Sequence, residues 1–133
     1  VTWSSEGNKI LYVRNNNSIW TMNSDGTGQT LIKDNATNPD WSPTGQKIAY
    51  ECTLNGIKHI CMMNHDGSNV VELTNGQLNG NFINPTWDPR GHTVLFTTNS
   101  SGVHIMYTFN IISNRFEKFW KVGNSHNSRD PDW

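Results

Sequence analysis

Eleven carboxylates, five histidines and two cysteines are the side chains of this 133-residue sequence that could carry acid–base, metal or thiol chemistry. The carboxylates are Glu6, Asp25, Asp34, Asp40, Glu51, Asp66, Glu72, Asp88, Glu117, Asp130 and Asp132. Two carboxylates paired at one site would suggest acid–base work, and no pair recurs in that way. Asp25 and Asp66 fall in Asp-Gly turns. Asp40, Asp88 and Asp132 flank tryptophans, where a backbone or indole hydrogen bond is the expected role. His59, His65, His92, His104 and His126 are scattered, with neither H-x-H nor H-E-x-x-H spacing to hold a metal. The serines form no G-x-S-x-G elbow, and no glycine-rich loop opens a helix to cradle phosphate. The sequence therefore predicts no catalytic residue, no metal site and no cofactor, and a protein that is not an enzyme. Cys52 and Cys61 have no zinc-type spacing. A hairpin with a four-residue loop would set them face to face across strands and allow a disulfide, although the geometry is restrictive. Two buried free thiols are the simpler expectation.

Composition narrows the partners. Ten Lys and Arg against eleven Asp and Glu leave a formal charge of −1, without the basic face a nucleic-acid binder needs. No apolar run is long enough to cross a membrane. The polarity is uncharged, with 19 Asn, so three Asn-x-Ser/Thr sequons are no more than chance supplies. Six Trp and five Phe point to a packed β protein. The first residue is Val1 rather than Met, which suggests a processed or excised piece.

These residues sit on a repeat. Trp3, Trp41, Trp87 and Trp133 mark matching places. Three of them open turns ending in glycine: Ser4-Ser5-Glu6-Gly7, Ser42-Pro43-Thr44-Gly45 and Asp88-Pro89-Arg90-Gly91. A second marker, Met22-Asn23-Ser24-Asp25-Gly26, returns as Met63-Asn64-His65-Asp66-Gly67, and loses its glycine in the third unit. Each unit parses into four short strands, for example around Lys9–Arg14, Ser18–Asn23 and Gln29–Ile32 in the first. The middle unit gives Lys47–Cys52, Lys58–Asn64 and Asn69–Thr74 after a short strand ending at Trp41. Runs such as Ile48-Ala49-Tyr50 and Ile60-Cys61-Met62-Met63 are apolar at adjacent positions, so both sheet faces must be covered. Four-stranded sheets at this spacing, stacked face to face, make an all-β β-propeller. The predicted blades are residues 1–37, 38–83 and 84–129, with 130–133 opening a further repeat.

The motif resembles the TolB-like, WD-repeat-like propeller repeat of bacterial and peptidase-associated propellers. Pro39-Asp40-Trp41-Ser42-Pro43-Thr44-Gly45, then Ile48-Ala49-Tyr50, then Met63-Asn64-His65-Asp66-Gly67 and Leu73-Thr74 carry the resemblance. The first unit lacks the proline after its Trp, and the third lacks the Asp-Gly turn and the Leu-Thr ending. The shared residues are expected to be structural: Trp3, Gly7, Trp41, Pro43, Gly45, Asp66, Gly67, Trp87, Pro89, Gly91 and Trp133. The tryptophans should pack in the blade cores. The Trp precedes the turn, so the repeat is not the Asp-box of sialidase propellers. The resemblance implies a ring of six blades and a periplasmic or secreted location.

Propellers close with about four to eight blades, so three leave two open faces. The expected reading is half of a six-bladed propeller that pairs with itself as a homodimer, working as a non-catalytic module for protein–protein interaction. Alternatives are a lectin binding carbohydrate between blades, or a fragment of a larger TolB-like protein or peptidase. Linkers at Lys33–Asn38, Asn75–Asn84 and Trp120–Arg129 should share one face with the turns between second and third strands. Lys33, Phe82, Trp120, Lys121, His126 and Arg129 are their candidate anchors for a partner, with Trp120 the aromatic expected outside the core.

Overall fold

Turn residues cut the chain into hairpins, and each strand bonds only to its neighbours in sequence. The computed structural model describes residues 1–74, 80–100 and 103–122, the side chains of 99, 100, 103 and 118–122 excepted. The first sheet holds β1 (Thr2–Trp3), β2 (Lys9–Arg14), β3 (Ser18–Asn23) and β4 (Thr30–Asp34). The second holds β5 (Ala36–Trp41), β6 (Lys47–Leu54), β7 (Ile57–Asn64) and β8 (Val71–Glu72). The third holds β9 (Phe82–Trp87), β10 (Thr93–Ser100), β11 (Val103–Asn110) and β12 (Arg115–Val122). Every sheet is an antiparallel meander in chain order.

The opening strands start earlier than Asn38 and Asn84, where the sequence divides the blades. Pro39 and Pro85 do not exclude strand here, because each opening strand is a sheet edge and needs hydrogen bonds on one side only. Each prolines' site is passed by a bulge. Pairing of β5 with β6 slips between Thr37 and Asp40, and pairing of β9 with β10 slips between Leu95 and Thr97.

The residue after each motif Trp locks the first turn. Ser4 Oγ accepts from Lys9 N at 3.1 Å, Ser42 Oγ from Lys47 N at 3.0 Å, and Asp88 Oδ1 from Thr93 N at 2.8 Å. A backbone bond then ties this turn to the one between the third and fourth strands. It runs from Ser24 N to Asn8 O, from His65 N to Gln46 O and from Ile111 N to His92 O. The third unit keeps the tie without its Asp-Gly pair.

Gly67 does a second job at the blade seam. Gly26 and Gly67 hold nearly the same conformation, φ +86° and +88°. A Cβ on Gly26 would meet nothing within 4 Å, whereas one on Gly67 would lie 2.9 Å from the Ile32 carbonyl oxygen of the first sheet. Gly26→Ala should cost about 1–2 kcal/mol through φ alone. Gly67→Ala should cost at least about 1 kcal/mol more, because a packed backbone must move. Urea denaturation of the two variants checks the difference.

Two apolar clusters fill the two seams. Trp41, Ile48, Tyr50, Cys61 and Met63 of the second sheet pack on Leu11, Ile19 and Ile32 of the first. Trp87, Val94, Phe96 and Phe109 of the third sheet pack on Ala49, Ile60 and Leu73 of the second. The second sheet is thus covered on both faces, which is why Ile48, Ala49 and Tyr50 are all fully buried. Trp41 and Trp87 are 7% and 8% exposed. Trp3 departs from the expected core packing: it is 54% exposed, and among the described residues no sheet lies against its side of the first blade.

The cysteines also depart from the simpler expectation. Cys52 and Cys61 are joined by a disulfide, with Cα atoms 5.9 Å apart. The connection is the two-residue loop Asn55-Gly56, which sets Cys52 opposite His59 and Tyr50 opposite Cys61. The two sulfurs therefore share one sheet face on neighbouring strands, at a separation a disulfide accommodates.

Candidate functional site

The three opening strands converge on a groove of about 460 Å³. Its walls are Val1 and Thr2 from the first blade, Asn38, Pro39 and Asp40 from the second, and Asn84, Pro85 and Thr86 from the third, with Val13 behind. The bulges shape it. Asn38 and Asn84 stand at equivalent places in two blades, both left-handed, at φ 46° and 55°. Asparagine tolerates that region better than most residues, since its short amide can bond locally.

Two carboxylates fix the groove. Asp40 Oδ2 accepts from Trp87 N at 2.8 Å and from Thr86 Oγ1 at 3.1 Å. Its backbone oxygen accepts the Trp87 indole N–H at 3.2 Å, and Oδ1 accepts from Thr2 Oγ1 at 3.5 Å. One residue thereby joins the opening strands of all three blades. Glu51 lies beneath and is 2% exposed. It accepts from Asn38 Nδ2 at 2.5 Å, Asn84 N at 2.9 Å, Thr37 Oγ1 at 3.2 Å and Lys58 Nζ at 2.8 Å. Burial alone would raise its pKa. The bonds from Asn84, Lys58 and Asn38, with the charge of Lys58, outweigh burial and hold it below the ordinary value.

Most of this carboxylate chemistry is therefore spent on structure. His59 Nδ1 lies 2.8 Å from Glu72 Oε1 and 3.3 Å from Thr74 Oγ1, but that hydroxyl is buried and accepts the Ile60 N–H at 3.1 Å. The three groups brace the outer strand of the second blade. Among the described residues, no group of three or more His, Cys, Asp or Glu is placed to hold a metal.

The expected anchors that the structure describes do not lie on linkers. Phe82 is a correction: it is fully buried, opens β9 and meets Phe96 edge-on at 5.8 Å between centroids. Its strand begins inside what the sequence suggests is a linker, so its ring reaches the seam instead of solvent. Lys33 is half-buried on β4, and Trp120 and Lys121 fall on β12, all on strands rather than linkers. His126, Arg129 and Trp133 lie outside the described residues. Sequence reasoning passed over Glu51 as a fixing group. A carboxylate between Tyr50 and Cys52, inside a buried strand, was the available signal.

No family model matches the sequence, and no curated protein does. Solved structures do. TolB from Acinetobacter baumannii aligns over 88% of this chain and 30% of its own, with 20% identity and a TM-score of 0.75. A putative TolB from Agrobacterium tumefaciens aligns over 91% of this chain and 48% of its own, with 20% identity and a TM-score of 0.78. The fold is that of a TolB-like β-propeller. The propeller domain of the Trilobed protease from Pyrococcus furiosus shares it at 19% identity and a TM-score of 0.69, over 92% of this chain and 41% of that one. This chain thus spans less than half the length of each of these TolB-like propellers.

Proposed function

We propose that the chain is a non-catalytic propeller scaffold that binds protein, first of all a second copy of itself, so that its ring is completed by self-association. One observation carries the reading. Trp3, at the place where Trp41 and Trp87 are buried, is 54% exposed on a sheet face that no other sheet covers among the described residues. An apolar face of that kind marks an interaction surface. A further protein partner would be received at the groove between the opening strands, where Asn38 and Asn84 stand exposed on a rim held by Asp40 and Glu51. Nucleic acid and membrane insertion have no part in this reading. The disulfide supports a periplasmic or secreted location, since such bonds persist in oxidising compartments.

Light scattering at micromolar concentration tests the reading. The expected mass is twice the 15.1 kDa of one chain. A folded species of 15.1 kDa overturns self-association. The likeness to a protease's propeller domain favours a second reading, in which these blades belong to a larger protein. The parent reading frame decides between the two.

A further inference from the structure

The two seams inside the chain are one interface formed twice. Counting from each motif Trp, the same positions meet. Trp41 lies opposite Ile48, Ile48 opposite Met63 and Tyr50 opposite Cys61. Trp87 lies opposite Val94, Val94 opposite Phe109 and Phe96 opposite Tyr107. These sets face the preceding blade, and the side they meet is equally regular. Leu11 and Ile19 supply it in the first blade, Ala49 and Ile60 in the second, all four fully buried.

Among the described residues, the first and third blades each keep one half of this interface unused. In the first, Trp3 lies opposite Ile10, Ile10 opposite Met22 and Tyr12 opposite Trp20, which repeats position for position the set that faces the preceding blade. Arg14 and Trp20 occupy the diagonal that the disulfide occupies in the second blade, the guanidinium 5.0 Å from the ring centroid. In the third blade, Leu95 and Met106 hold the places of Leu11 and Ile19. They are only half-buried, because no fourth sheet covers them among the described residues.

Resting on the self-association reading, we propose that two copies join head to tail, the Trp3 face of each against the Leu95 and Met106 face of the other. The unused faces are the two halves of a contact the chain already makes twice, so a copy of this chain carries both sides of the missing seams. A heterologous contact closes a ring or grows a filament, depending on its rotation. Propellers close at about four to eight blades, and six is the multiple of three in that range.

The test uses the full chain with Trp3→Glu or Met106→Glu. Each substitution puts a charge on an open face, and circular dichroism checks that the fold is kept. Tyr12→Glu and Leu95→Glu form a second pair should either of the first unfold. In light scattering at micromolar concentration, each variant alone is expected at 15.1 kDa, half the wild-type mass. An equimolar mixture is expected to recover the doubled mass, at an at least tenfold higher concentration, because one sound contact survives between a good Trp3 face and a good Met106 face. If Met106→Glu keeps the wild-type mass while Trp3→Glu loses it, the Trp3 faces meet each other. The head-to-tail contact is then wrong and self-association stands. Mass that climbs without limit with concentration means a filament and overturns the closed ring. A wild-type mass of 15.1 kDa overturns this contact and the reading beneath it together.

Discussion

Trp87→Ala is expected to lower stability by about 3–5 kcal/mol, the usual cost of removing a large aromatic from a core. The ring fills the seam between the second and third blades and is 8% exposed. Its indole N–H also spans that seam to the Asp40 oxygen at 3.2 Å. Truncation opens a cavity and leaves that bond unmade, while the Trp87 backbone bond to Asp40 Oδ2 survives. Trp87→Phe should recover most of the packing and cost about 1–2 kcal/mol, chiefly for the lost hydrogen bond. Trp3→Ala is the internal control. In dilute solution, where self-association contributes nothing, it should cost under about 1 kcal/mol, since its ring is already half in water. Guanidinium denaturation followed by circular dichroism reads all three. Equal losses from Trp3 and Trp87 would mean that blade seams do not set the stability of this chain.

The same pair shows how far sequence reaches. The motif Trp and the turn after it predict a buried ring at every repeat, and a repeat is a local signal. What buries the ring is the neighbouring blade, which is not local, so Trp3, with no sheet against it among the described residues, breaks the rule. The hairpins were legible for a related reason. Lys9–Arg14 and Ser18–Asn23 are strands over the expected residues because the Asn-rich loop between them sets both ends. The opening strands were less so. Asn38-Pro39 and Asn84-Pro85 look like breaks in a chain, and only the sheet edge and its bulge make room for them. Phe82 follows from the same feature: β9 begins at Phe82, two residues before Asn84, and carries its ring into the seam. The disulfide turned on one detail, a two-residue loop at Asn55-Gly56 instead of a four-residue one, which alone decides which residues face each other.

The groove was legible only in its wall. Its fixing carboxylates act across blades: Asp40 bonds Thr86 and Trp87, and Glu51 bonds Asn84 N, 33 residues away. No spacing rule within one repeat links such pairs. Glu51 has no acidic counterpart at the same register in its sister blades, where Val13 and Thr97 stand. It therefore breaks the pattern of the repeat while holding two bulges in place.

Glu51→Gln should cost about 2–4 kcal/mol at pH 7, because an amide turns one donor group toward Asn38, Asn84 and Lys58 where the carboxylate offered only acceptors. The pH dependence makes the prediction specific. The folded pKa of Glu51 lies below its ordinary 4.5. Its contribution is therefore complete above about 4.5, and it is lost as pH falls through the lower folded value. Asp25, Asp66 and Asp88 are also held below their ordinary value by turn hydrogen bonds, so they lose stabilisation in the same direction. Wild type and variant share those three groups, and the difference between the proteins isolates Glu51. The stability gap should be flat from pH 7 down to about 5 and narrow below that. Urea midpoints at half-unit pH steps measure it. A gap that stays constant into acid would show that Glu51 supports the groove by shape and not by charge. A charge-borne gap would mean that protonating Glu51 weakens the bonds by which it holds Asn38 and Asn84 across the two blades.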